Sequence, residues 1–131
     1  MQMSQSSRLR ILVVDDNVDA AESIAMLLSL DGHEVRSVHS GQEALDAVRP
    51  FEPDVVLLDI GLPGMDGYEV ARRLRSEPNA SNMQLIAITG YGQQEDRDRT
   101  RAAGFDRHLV KPVEPEALMS MLSTMQPRRP Q

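Results

Sequence analysis

The chain has 131 residues, 14 basic and 20 acidic side chains for a formal net charge of -6, 40% hydrophobic but only 3% aromatic residues, and no cysteine. That length suits one compact domain with an aliphatic core, and the acidic balance excludes a global basic field for gripping nucleic acid. Without thiols there is no disulfide, thiolate zinc site or cysteine nucleophile, and no apolar run approaches the ~20 residues that cross a bilayer.

Residues 1–7 are polar and aperiodic, a flexible tail without the apolar stretch of a secretory signal, so a cytoplasmic location is expected. Leu9–Val14 reads as a buried strand that stops at Asp15-Asp16-Asn17. From Val18 to Leu30 apolar residues recur at helical spacing, and Asp31-Gly32 ends that helix. His33–Val38 is a shorter strand. Ser40, with Glu43 three residues on, opens a helix from Gly41 to about Arg49. Pro50 and Pro53 bracket the connection to Asp54–Leu58, an apolar strand that stops at Asp59. A loop rich in Gly and Pro, 60–67, leads into a helix over Tyr68–Arg75, and residues 77–82 are turn material. Gln84–Ile88 is the fourth strand, closed by Thr89-Gly90. Gln93–Ala103 is a highly charged helix whose apolar foothold is Ala102 and Ala103. Asp106–Val110 is a fifth strand, followed by Lys111-Pro112 and a helix from Pro115 to Met125 with Leu118, Met119, Met121 and Leu122 toward the core. A disordered tail is expected over 127–131.

Five strands alternating with five helices imply an α/β fold, a doubly wound parallel sheet covered on both faces, since parallel strands need crossover connections. Continuous apolar strands agree, because strands buried on both faces do not alternate. In the flavodoxin-like order 2-1-3-4-5, ligands collect outside the carboxyl ends of the strands. There this chain places Asp15 and Asp16 after the first strand, Asp59 after the third, Thr89 after the fourth and Lys111 after the fifth. Clustered carboxylates repel unless a cation intervenes, and a hard divalent ion with oxygen ligands, Mg²⁺ rather than zinc, suits them. Taken singly each residue has a plainer reading. Asp15 and Asp16 favour a helix N-terminus, Asp59 starts a turn, Thr89 caps one, and Lys111 is a solvated charge.

Four segments, in order, carry a family resemblance: Val13-Val14-Asp15-Asp16-Asn17, then 57–67, then Ile88-Thr89-Gly90, then Leu109-Val110-Lys111-Pro112. From about Leu9 to Met125 the chain resembles the CheY-like receiver domains of two-component response regulators. The resemblance implies a receiver domain over residues 8–126 in which Asp59 takes a phosphoryl group from the phosphohistidine of a sensor histidine kinase or histidine phosphotransfer protein. It implies Mg²⁺ ligated directly by Asp16 and Asp59, by Asp15 largely through water, and by the backbone carbonyl of Gly61. Thr89 and Lys111 would contact phosphoryl oxygens, Lys111-Pro112 would be a cis-proline site, and Met65-Asp66-Gly67 would shape the loop and open the third helix.

Receivers of this kind switch through the strand-four hydroxyl, here Thr89, and a strand-five side chain that is often aromatic, repacking the face made by helix four, strand five and helix five. His108 holds that strand-five position. Two readings stand for it: a titratable switch or partner contact, and an exposed histidine without a role. Tyr91 either gates the site or packs on its loop. Gln93–Ala103 is either a segment that rearranges cheaply or a solvated helix. His33 and His39 read as ordinary surface residues away from the acidic edge.

A flavodoxin-type electron carrier is excluded, because Asp15-Asp16-Asn17 would repel the FMN phosphate. An aspartate-nucleophile phosphatase is expected to carry a second carboxylate two residues after the nucleophile, where Gly61 stands. A receiver reduced to a binding module would not need all five polar residues. After Met125 too little chain follows for an output domain, so a single-domain regulator acting on a protein target, or a receiver cut from a longer chain, is expected. The stretch 106–113 is similar to receivers at the ends of hybrid histidine kinases.

Overall fold

The computed structural model describes residues 8–61, 66–78, 80–90 and 97–127. The expected tail at 1–7, residues 128–131 of the tail expected over 127–131, the loop residues 62–65, Tyr91 and the start of the charged helix lie outside them.

The elements alternate as the apolar pattern dictates. In chain order they are β1 (Arg10–Val14), α1 (Val18–Leu30), β2 (Glu34–Val38), α2 (Gly41–Phe51), β3 (Val55–Asp59), α3 (Gly67–Arg75), a 3-10 turn (Ala80–Asn82), β4 (Gln84–Thr89), α4 (Arg97–Ala102), β5 (Arg107–Val110) and α5 (Pro115–Leu122). The sheet is parallel throughout with order β2-β1-β3-β4-β5, so the expected doubly wound fold is the observed one.

Alternating side chains on each strand feed two cores. Ile11, Val13, Val55, Leu57, Ile86 and Ile88 pack with Ala21 and Leu28 of α1 and Leu118 and Leu122 of α5. Leu12, Val14, Val56, Leu58, Leu85 and Ala87 pack on the other face with residues of α2 and α3. Every residue of β3 is buried, which holds the residue at its end rigidly between two layers.

Several boundaries differ from the sequence expectation. α2 passes through Pro50 and ends at Phe51. A proline in the last turn forfeits one backbone donor, and burial of Phe51 against the core offsets that loss. Glu52, at φ 53°, closes the helix by donating its N–H to the Val48 carbonyl. α5 ends at Leu122, and Met125 reaches the core through turn bonds, its N–H donating to the Leu122 carbonyl. The foothold of α4 is Ala103 and Thr100, both buried, whereas Ala102 is exposed.

Candidate functional site

The sheet order and register bring the polar strand ends together. Val14 pairs with Leu58, so Asp15 follows β1 level with Asp59 at the end of β3. Asp59 in turn pairs with Ile88, and Thr89 with Val110, which puts Lys111 one residue beyond β5. One carboxylate oxygen from each of Asp15, Asp16 and Asp59 lies within 4.8 Å of the others. Asp15 and Asp59 are buried, and Asp16 is exposed at the rim.

Local bonds aim these groups. The Gly61 N–H donates to Asp59 Oδ1 at 2.8 Å, and the Asn17 N–H donates to Asp15 Oδ1 at 3.0 Å. Lys111 Nζ donates to Asp59 Oδ2 at 2.7 Å and stands 3.6 Å from Asp15 Oδ2. The Lys111-Pro112 peptide is cis, as the resemblance implied, and the Lys111 N–H is fixed on the Thr89 carbonyl at 2.8 Å.

Burial pushes the Asp15 carboxyl above its ordinary range, and the charges of Asp59 and Asp16 add to the rise. The Asn17 N–H and the Lys111 charge oppose it without cancelling it. Burial works against the Lys111 ammonium too, but its hydrogen bond to Asp59 and the charges of Asp59 and Asp15 outweigh that, raising its pKa. Three carboxylates around one ammonium leave excess negative charge at the strand ends. The donor set is all oxygen, which suits a hard divalent cation and does not suit zinc.

Thr89 is buried, and its Oγ1 donates to the Leu109 carbonyl of β5 at a long 3.4 Å. His108 is half-buried on β5, opposite Ala87 of β4. The loop from β3 to α3 is closed by Asp66, whose Oδ1 accepts the Tyr68 N–H at 2.9 Å, and by Gly67. A Cβ at position 67 would stand 2.4 Å from the Ile60 Cα, so glycine is needed for close backbone approach beside Asp59. Asp66 Oδ2 also pairs with Arg99 of α4 at 3.0 Å, and that guanidinium lies over the Tyr68 ring.

Two histidine readings are corrected here. His33 is buried, with Nδ1 accepting the Leu9 N–H at 3.1 Å and Nε2 3.5 Å from Asp31 Oδ2, at the sheet edge opposite the carboxylates. His39 does lie at the acidic edge: its Nδ1 is 3.1 Å from the Asp15 carbonyl oxygen. The sequence offered little sign of either, because both partners are backbone groups 24 positions away. The capping signal at Ser40 and Glu43 did mark the place where His39 is anchored.

A cavity of about 470 Å³ opens beside the site, walled by Asp15 and Lys111 on one side and by Ala20, Ile24, Pro112 and Val113 on the other. Among the described residues no helix is long and apolar enough to cross a membrane.

Comparison with known proteins agrees with this geometry. The response regulator receiver domain model matches residues 11–123. The DNA-binding response regulator MtrA of Mycobacterium tuberculosis is 37% identical over 86% of this chain, which spans only 48% of that protein. A crystal structure of a putative response regulator from Chloroflexus aurantiacus is 32% identical, with a TM-score of 0.82 over 90% of this chain and 97% of that one. The receiver domain of the sensor histidine kinase PA1611 from Pseudomonas aeruginosa, solved with a magnesium ion coordinated in its active-site cleft, is 30% identical, with a TM-score of 0.80 over 90% and 97%. A family match over residues 11–123, joined with the likeness in fold to solved receiver domains, places this protein among the response regulator receiver domains.

Proposed function

We propose that residues 8–126 act as a phosphorylation switch in which Asp59 accepts a phosphoryl group from a phosphohistidine with the help of Mg²⁺. The carrying observation is the buried Asp59 carboxylate at the end of the central strand, 2.7 Å from the Lys111 ammonium and clustered with two further carboxylates. A carboxylate oxygen attacks phosphorus as the P–N bond breaks, and the bonding pair stays on the departing imidazole nitrogen, giving an aspartyl phosphate and a free histidine. The Gly61 N–H and Lys111 orient the carboxylate for that attack, and Lys111 then pairs with a phosphoryl oxygen.

Asp15, Asp16, Asp59 and the Gly61 carbonyl are the groups that would hold Mg²⁺, and their oxygen chemistry fits it. The ion supplies charge neutralisation for the moving phosphoryl group. The PA1611 receiver, with magnesium in its own cleft, supports the choice.

Thr89 carries the signal outward. Its long bond to the Leu109 carbonyl is cheaply exchanged for a charge-assisted bond to a phosphoryl oxygen. The exchange releases a carbonyl of β5 next to His108, and the face of α4, β5 and α5 changes its protein contacts.

The donor is a sensor histidine kinase or histidine phosphotransfer protein in the cytoplasm. Its histidine must come within bonding distance of Asp59, so its surface has to cover the rim around the site. The apolar wall of Ala20, Ile24, Pro112 and Val113 offers it buried contact there. The chain turns over no external substrate. A phosphatase reading lacks a carboxylate at Gly61 to serve the leaving group.

Intact-mass spectrometry after incubation with acetyl phosphate tests the proposal. One phosphoryl group is gained only with Mg²⁺ present, and Asp59→Asn gains none. Absence of an adduct, joined with failure to form a beryllofluoride complex, overturns it.

A further inference from the structure

We propose that His39 is a positioning residue for the cation site, acting through the backbone of Asp15. The inference rests on the metal reading above and names a part of the site that lies outside its oxygen ligands. A carbonyl oxygen only accepts, so the 3.1 Å contact requires Nδ1 of His39 to be the donor. The carbonyl it holds belongs to the peptide that joins Asp15 to Asp16, and the plane of that peptide sets the direction in which Asp16 leaves the strand.

His39 is itself well held. Its N–H donates to Glu43 Oε1 at 2.7 Å, while the Glu43 N–H donates to Ser40 Oγ at 3.1 Å. The reciprocal cap of α2 is thus displaced by one residue, with the glutamate reaching past the capping serine to His39. On the β1 side, the Asp15 N–H donates to the Val38 carbonyl at 3.1 Å. Asp15 is therefore gripped on both backbone groups from the end of β2, through the main chain of Val38 and the ring of His39. The ladder of β1 and β2 ends with Val14 and Val38. The ring extends that pairing by one more bond, to the point where two carboxylates must be held against their mutual repulsion.

Outer groups that orient metal ligands affect binding without touching the metal. In His39→Leu the ring volume is roughly kept and the donor is lost. In His39→Asn the side-chain amide places a donor near the Nδ1 position. Isothermal titration with MgCl₂ on the whole chain, paired with thermal melts without metal, separates positioning from simple stabilisation. Mg²⁺ affinity is expected to fall about tenfold in His39→Leu and to stay within about twofold of wild type in His39→Asn. The metal-free Tm of the two variants should be the same. The proposal is overturned if His39→Leu binds Mg²⁺ as wild type does, or if His39→Asn is as weak as His39→Leu. It is equally overturned if metal-free Tm falls in His39→Leu alone, since the ring would then only be stabilising the fold. Asp16→Asn distinguishes the two levels. Wild-type binding that is lost in Asp16→Asn but untouched in His39→Leu removes the role of His39 and leaves the cation site standing, whereas a wild-type chain that takes up no Mg²⁺ removes both.

Discussion

In the proposed switch, Thr89 and His108 are the side chains through which a change at Asp59 would reach the surface, and the present hold on Thr89 is weak. The hydroxyl sits 3.4 Å from its present acceptor, a length at which a hydrogen bond contributes little. His108→Ala is expected to leave acetyl-phosphate labelling of Asp59 unchanged while weakening binding of the phosphorylated form to its protein target by about three- to tenfold, or about 1 kcal/mol. A pull-down or titration with beryllofluoride-loaded protein measures this, and equal affinity for both chains would remove His108 from the switch. At this scale the acidic residues were readable as candidates in the sequence because Asp15, Asp16 and Asp59 follow or end continuous apolar strands, where the chain changes abruptly from core to charge. His39 was not readable. Its target is a main-chain oxygen, and a backbone acceptor leaves no trace in the residue type of the partner.

The elements were readable wherever a run of apolar residues met a glycine or a cap, as at Leu9–Val14 or Ser40. They were less so where tertiary contacts outweigh local rules, as at Pro50 inside α2. The end of α3 shows such a contact. Arg75 donates to the carbonyls of Gly104, Ala80 and Met83 and pairs with Asp106, tying α3 to the segments that lead into β4 and β5. Gly104, at φ 108°, lies against that arginine, and a Cβ there would come within 2.6 Å of Arg75 Cγ. Gly32 also has a positive φ but has nothing within 4 Å of such a Cβ. Gly32→Ala is therefore expected to cost about 1 kcal/mol from backbone strain alone. Gly104→Ala should cost about 2–3 kcal/mol, because it displaces the guanidinium as well. Urea melts of the two variants decide the matter, and equal losses would show that the arginine moves aside freely.

For the whole molecule, stability and chemistry sit at opposite edges of one sheet. The carboxylates occupy one edge, and His33 is enclosed at the other with its Nδ1 accepting the Leu9 N–H. Burial lowers the pKa of His33, and the nearby Asp31 carboxylate offsets this only partly. Its folded pKa thus lies below the ordinary 6.5, so the unfolded chain takes up a proton first as pH falls. The stabilisation is complete above pH 6.5 and drains away as pH drops from there through the folded pKa. In His33→Asn, whose amide oxygen can take the same N–H, unfolding free energy measured against pH should lose that part of the slope. If the slope persists, other groups carry it.

The doubly wound sheet followed from alternating strands and crossover rules and its order from the flavodoxin-like pattern, whereas the register that aligns Asp15 with Asp59 and Thr89 with Val110 became visible only in three dimensions. That register makes the acidic cluster a proofreader of threading. A slip of one residue in β1 or β3 would turn core side chains to the wrong layer and scatter the carboxylates at the same stroke. Any cation that needs all three carboxylates stabilises only the correctly threaded chain, so it draws misthreaded molecules back toward the native form by mass action. On the proposed cation reading, the carboxylates would thereby also inspect how the domain was assembled.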